Sequence, residues 1–232
     1  RMEAQNIGIT SQLDMASVGD YALIEVGAGR ARLAHQFVSL NKSSMPKRVY
    51  LIDRSRPRAK MDRKIENMCG HAERIDCDLK DVDVTKLPLD QPNVVVVAKH
   101  ACGEATCFSL VALTSVMKMY PEKRFFLTLA PCCHQVCNFS SFCNVQELSV
   151  LGIDSSMFAL IARMSSWSVC AIANDEKIGV HKKSELGRMM KLFIDVCRVK
   201  YLQSFGLRAE LKVYCEEELS PENRVIVAHS TI

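Results

Sequence analysis

At 232 residues, 48% of them hydrophobic and 24% charged, the chain has the length and composition of one α/β domain with a full core, and is short for two. A formal net charge of +4 permits a nucleic-acid partner without demanding one. The eleven cysteines, odd in number and uneven in spacing, argue for reduced thiols in cytoplasm or nucleus, not a secreted disulfide framework.

The longest apolar run, Val94 to Ala98, is strand-sized, so no membrane span is expected. The opening Arg1-Met2-Glu3-Ala4-Gln5-Asn6 lacks the apolar segment of a signal peptide. This abrupt start suggests a fragment of a longer protein, and the expected organisation is a single domain over 1–232.

In chain order, Tyr21 to Val26, Arg48 to Asp53, Asn93 to Ala98 and Arg124 to Ala130 read as buried strands, apolar on both faces. A weaker strand, Ala72 to Ile75, falls between the second and third of these. Arg32 to Leu40, Arg58 to Met68 and Ala105 to Met119 carry helical spacing. Alternation of this kind implies a doubly wound sheet with helices on both faces. Ser184 to Phe205 reads as one long helix, with Leu186, Met190, Phe193, Cys197, Tyr201 and Phe205 near one face and Gly206 as its C-cap. Ala209 to Cys215 and Arg224 to His229, joined by polar residues, read as a closing antiparallel hairpin. The arrangement resembles the class I S-adenosylmethionine (SAM)-dependent methyltransferases. It implies a Rossmann-like α/β fold with a mostly parallel seven-stranded sheet and an antiparallel C-terminal hairpin.

Glu25-Val26-Gly27-Ala28-Gly29-Arg30-Ala31-Arg32 lies between a strand and a helix, where glycines permit a tight turn and close approach of a ligand to the backbone. A dinucleotide fingerprint needs a small sixth residue, and Arg32 in that place argues against NAD. A Glu-x-Gly-x-Gly loop is similar to the SAM site instead, with Ala31 where many methyltransferases have glycine. Asp53 closes the second strand, placed either to accept hydrogen bonds from both hydroxyls of a ribose or to cap a helix. Asp78, after the third strand, is placed to accept from an adenine amino group, with Leu79 against the ring.

Lys99-His100-Ala101-Cys102-Gly103 follows the fourth strand, at the carboxyl edge where such sheets bind ligands. A lysine and a histidine ending a buried strand are costly unless paired or hydrated, which favours a functional role over a structural one. Pro131-Cys132-Cys133-His134 occupies the equivalent place on the fifth strand. Zinc is a rival reading of that run, with Cys133 and Cys137, or His134 and Cys137, as one ligand pair and Cys143 or Cys102 completing it. Adjacent residues cannot both face one ion without strain, so the run reads first as the wall of a pocket, with no metal assigned.

Glu25 to Arg30, Asp53-Arg54, Lys99-His100-x-Cys102-Gly103-x-Ala105-Thr106, Cys132-Cys133-His134-x-x-Cys137 and Ser166-Trp167 together resemble the eukaryotic tRNA ribose 2′-O-methyltransferases that modify acceptor-stem nucleotide 4. Gly187-Arg-Met-Met-Lys, Gly206 and Ser220-Pro-Glu-Asn223 fit the same family's C-terminal pattern. Ala101 and Cys107 depart from it, since a bulkier and an acidic residue are usual there. The resemblance implies a catalytic domain without the family's amino-terminal zinc fingers, with tRNA as partner and S-adenosylhomocysteine (SAH) as cofactor product. It implies a cofactor site of Glu25, Gly27, Ala28, Gly29, Asp53, Arg54, Asp78 and Leu79. Cys132, Cys133 and Trp167 would line the substrate pocket. Lys99, His100 and His134 are the candidate catalytic residues, as base or as stabilising cation. RNA contacts are expected from Arg54, Arg56, Arg58, Lys60, Arg63 and Lys64, and from Lys182, Lys183, Arg188 and Lys191, unless these are ordinary solvated faces. Rival classes are a protein or small-molecule methyltransferase and a zinc-stabilised binding module with a degenerate cofactor pocket.

Overall fold

A computed structural model describes residues 2–55, 60–168 and 180–231. Five strands run parallel: β1 (Tyr21–Val26), β2 (Arg48–Asp53), β3 (Ala72–Asp76), β4 (Asn93–Cys102) and β5 (Arg124–Cys132). Strands β6 (Leu207–Val213) and β7 (Arg224–Ser230) form the expected hairpin, and the seven-stranded order is β3-β2-β1-β4-β5-β7-β6. The last strand enters beside β5 antiparallel, leaving β6 at the edge.

Alternate side chains of the central strands point into separate apolar layers. Leu23, Val49, Leu51, Val95 and Val97 pack beneath helices α1 (Met2–Thr10) and α2 (Arg32–Leu40), and Ile65 of α3 (Lys60–Cys69) joins them. Ala22, Ile24, Val94, Val96 and Ala98 pack under α4 (Glu104–Met119), through Leu110, Leu113 and Val116. Burial on both faces is why these strands read as unbroken apolar runs. In α2, Leu33, Ala34, Phe37 and Val38 form the one buried stripe, which fixes the helix's rotation on the sheet.

Two short helices, α5 (Val145–Val150) and α6 (Ser155–Ser165), lie beyond β5. With α7 (Val180–Ser204) they enclose a satellite core of Phe142, Leu148, Phe158, Ala162, Ile194 and Cys197. Neither they nor α1 were legible as helices in the sequence.

Two strands overrun their expected ends. The apolar runs end at Ala98 in β4 and Ala130 in β5, yet the ladder continues to the Cys102–Cys132 pair, with a register shift between Lys99 and Ala101. The displaced residue is His100, at φ 61. Lys99 and His100 therefore sit in a bulged strand end, not in a loop, and a bulge re-aims a side chain. No described helix is long and apolar enough to cross a membrane.

Candidate active site

The carboxyl ends of β1, β2 and β4 open onto two joined cavities. The first, about 390 Å³, is lined among others by Gly27, Asp53, Asp78, Leu79, His100 and Cys102. The second, about 310 Å³, is lined by Asn6, Glu25, Arg30, Arg32, Lys99 and His100, among others. Gly27 and His100 border both.

The glycine loop is tied to β2. Asp53 accepts from the Gly29 amide at 2.7 Å through Oδ2, and from the Ser55 amide and hydroxyl at 2.8 and 2.6 Å through Oδ1. Burial opposes its ionisation, but these bonds and the charge of Arg74 outweigh that and hold the carboxyl below its usual range. One acceptor site stays free on Oδ2, and a second opens on Oδ1 where the Ser55 hydroxyl turns away. Asp78 also borders this cavity and caps a short turn by accepting from the Lys80 amide, while Leu79 is apolar lining. Ala31, where glycine would be the easier residue, is left-handed at φ 54 and fully buried.

Glu25 is 3% exposed, and its Oε2 accepts from the Ala34 amide in the first turn of α2 at 3.0 Å. Burial pushes its carboxyl up to about 8, against the pull of that amide and of Arg74. Lys99 Nζ donates to Asn6 Oδ1 at 2.6 Å and to the Met2 carbonyl at 3.4 Å, so α1 walls the second cavity. Burial lowers its pKa. Partial burial and then the charge of Lys99 lower the pKa of the His100 ring, which favours its neutral form.

These two cavities fit S-adenosylmethionine. The first offers carboxylates at a strand end and an apolar side wall, as a ribose and a purine require. The second offers one carboxyl among three cations, Arg30, Arg32 and Lys99, as an amino-acid zwitterion requires. Asn6, Arg30 and Arg32 were not expected as site residues. Asn6 enters from a helix that no periodicity announced, whereas Arg30 and Arg32 were visible in the glycine loop.

His134 stands apart from the other two candidate bases. Its side chain is 2% exposed and lines neither cavity; Nε2 lies 2.9 Å from Asp195 Oδ2 on α7. The same carboxylate accepts from Arg198 Nη1 at 2.9 Å. Arg198, fully buried, also donates from Nη2 to the Gly103 carbonyl at 2.9 Å and to Cys137 Sγ at 3.1 Å. A base must lie within hydrogen-bond reach of the proton it takes, and this imidazole is sealed inside the α7 packing.

Trp167 likewise lies outside both cavities, half-buried with Lys183 Nζ 5.6 Å from its ring centroid. Cys132 and Cys133 are not among the cavity-lining residues, but both contact Cys102, which is. The zinc pairs read from sequence do not form, because His134 is taken by Asp195 and Cys137 by Arg198.

The basic stretches divide. Lys60, Arg63 and Lys64 are exposed on α3, while Asp62 between them is bound by Arg74 at 2.6 and 2.9 Å. Arg54 is exposed at the first cavity, and Arg56 and Arg58 lie outside the described residues. On α7, Lys191 is 6% exposed and pairs with Glu222 at 2.6 Å, and Arg188 pairs with Glu217 at 3.4 Å. Lys191 is thus an internal brace and Lys183 is buried, whereas Lys182 and Arg188 stay exposed on the surface.

A sheet of order 3-2-1-4-5-7-6, with a glycine loop after β1 and an acid closing β2, defines a class I SAM-dependent methyltransferase fold. A solved O-methyltransferase family protein from Burkholderia thailandensis shares the fold, at TM-score 0.50 and 12% identity, over 99% of this chain and 56% of that one. Residues 4–229 match the family model "Methyltransferase TRM13", and the chain belongs to that family. It is similar to the tRNA:m(4)X modification enzyme TRM13 of Yarrowia lipolytica, 28% identical over 89% of this chain and 54% of that protein. Its likeness to the Homo sapiens homologue is 23% over 88% of this chain and 59% of that protein, and to the Dictyostelium discoideum homologue 35% over 64% and 30%. The chain thus spans about half the length of the curated relatives it matches, or less.

Proposed function

We propose that this chain is the catalytic domain of a tRNA methyltransferase that transfers a methyl group from SAM to a ribose 2′-oxygen at acceptor-stem nucleotide 4. Family membership supports tRNA as substrate; the observation that carries the chemistry is His100, an imidazole biased to its neutral form and turned by a bulge to the junction of the two cavities.

SAM, when bound, supplies an electrophilic methyl. The chain must then hold it, align the acceptor and remove one proton. In this reading Asp53 takes the ribose diol, and Asp78 and Leu79 the adenine. Gly27, Ala28 and Gly29 let the backbone close on the ligand, and Arg54 rims the opening. Glu25, charged once an ammonium sits beside it, pairs with the amino-acid end, and Lys99, Arg30 and Arg32 take its carboxylate. Lys99 is then a cofactor-side cation held by Asn6, not the base. His100 accepts the hydroxyl proton as the oxygen attacks, and in-line alignment supplies much of the rate. His134 acts at a distance, through Asp195 and Arg198, by fixing the Gly103 carbonyl behind the β4 bulge.

Radiolabelled SAM is incubated with an unmodified tRNA transcript, and the product is hydrolysed in alkali. A 2′-O-methyl group blocks cleavage at its own nucleotide, so label in an alkali-resistant dinucleotide from position 4 is the expected result. Label in a base, or none in tRNA under conditions where SAH binds, would refute the proposal. His100→Ala should lose turnover at least about a hundredfold while retaining SAH affinity.

A further inference from the structure

Three thiols meet where β4 and β5 end. Cys102 Sγ lies 3.3 Å from Cys132 Sγ and 3.4 Å from Cys133 Sγ, and all three sulfurs fall within 4.8 Å of one another. Zinc bound to thiolates at about 2.3 Å sets neighbouring sulfurs about 3.8 Å apart on the edges of a tetrahedron. The three sulfurs therefore approximate one face of such a site.

The backbone is bent to achieve this. Cys102 and Cys132 are direct partners across the parallel ladder. Cys133, next in sequence, would point to the opposite side of an extended strand. Instead it adopts φ 53 and ψ 43, left-handed for a non-glycine residue, and its sulfur turns back to Cys102. A disulfide would need only two of these sulfurs and would give Cys133 no reason to join them.

We propose that Cys102, Cys132 and Cys133 bind one zinc ion, with water in the fourth position. An all-sulfur donor set favours zinc over magnesium or calcium. Three protein ligands leave a tetrahedral ion one open position. That position faces the first cavity, because Cys102 lines it beside His100 and Glu104. Arg54 lines the same cavity as Cys102 and would offset the negative charge left by three thiolates around a divalent ion. Zinc here would clamp the ends of β4 and β5 and so hold the bulge that carries His100.

The test is a titration of the reduced chain with cobalt(II), whose thiolate complexes give ultraviolet charge-transfer bands and strong visible bands when tetrahedral, followed by displacement with zinc. One cobalt per chain with both signatures is expected, and zinc at a hundredfold excess over its Kd should raise Tm by roughly 5 °C or more. Cys102→Ala and Cys133→Ala, chosen because neither side chain is fully buried, should each weaken metal binding at least tenfold, whereas Cys69→Ala on α3 should not. Circular dichroism and SAH calorimetry on the same variants show that they fold, and separate failure of this site from failure of the methyltransferase reading. No thiolate–cobalt band in the folded wild type would overturn the proposal. So would equal affinity in all variants, or a Cys102–Cys132 disulfide that forms in the presence of zinc.

Discussion

Replacing Asp53 with alanine should disable the cofactor site while leaving the sheet intact. The carboxylate closes β2 and already holds the Gly29 amide and Ser55, so it is fixed in position before any ligand arrives. A ribose diol makes two hydrogen bonds to this charged acceptor, one at the free site of Oδ2 and one in place of the Ser55 hydroxyl on Oδ1, each worth about 1.5–3 kcal/mol. Their joint loss, about 3–6 kcal/mol, corresponds to roughly a hundredfold to ten-thousandfold rise in Kd at 1.4 kcal/mol per decade. The freed Gly29 amide adds to the effect by loosening the loop. Because Asp53 is partly solvated, the folding penalty should stay near 1–2 kcal/mol, a fall of only a few degrees in Tm. Calorimetry with SAH measures the first quantity and thermal unfolding the second. Asp53→Asn, which keeps one acceptor oxygen, should fall between wild type and alanine. A folded Asp53→Ala protein whose Kd for SAH rises less than tenfold would refute the assignment of this carboxylate to the ribose.

Glu25 makes stability depend on pH. Its folded carboxyl, raised to about 8 from 4.5, keeps a proton that the unfolded chain has lost, so its contribution is full below 4.5 and drains away as pH rises through 8. The slope from this group is at most about 1.4 kcal/mol per pH unit. Urea unfolding from pH 5 to 9 should show a decline that Glu25→Gln flattens; parallel curves would contradict it. Asp195→Ala should cost about 3–5 kcal/mol, because it strands the buried Arg198, with Tm falling roughly 6–20 °C. His134→Ala should lower Tm by less and change SAH affinity under threefold; selective loss of turnover at unchanged Tm would instead restore His134 as a catalytic candidate. Gly103→Ala should destabilise by at least about 2 kcal/mol, since φ is 52 and a Cβ would lie 2.4 Å from Val136 Cγ2. An unchanged urea midpoint would show that the turn after β4 can relax.

Strands buried on both faces announce themselves, and β1 and β2 end where their apolar runs end. The acids Glu25 and Asp53 were readable because a βα turn leaves few places for them. What the sequence hid was relational. Nothing near His134 signals that Asp195, sixty-one positions away, will claim its imidazole. The pairing follows from how α7 docks against the satellite core. Helices α1, α5 and α6 escaped notice for a related reason. The six residues of α5 carry too few turns for a stripe to stand out, and α1 buries Gln5, Asn6 and Thr10 beside Ile9, a polar face held by tertiary contacts such as Thr128 donating to the Ile9 carbonyl.

Backbone strain follows the same boundary between the readable and the hidden. Among the described residues, the non-glycine positions with positive φ are Ala31, His100 and Cys133. They stand in the glycine loop, the β4 bulge and the β5 turn, which are the three segments that border or support the cleft. A left-handed non-glycine residue costs about 1–2 kcal/mol, and a chain selected for stability alone would carry glycine or asparagine there. Each of the three instead aims something a glycine could not. Cys133 returns its sulfur to Cys102, His100 brings an imidazole to the junction of two cavities, and Ala31 fills a fully buried place at the start of α2. The Lys-His and Cys-Cys pairs are conspicuous in the sequence as composition. Their purpose lies in the bend between the two members of each pair, which moves the second side chain off the face an extended strand would give it.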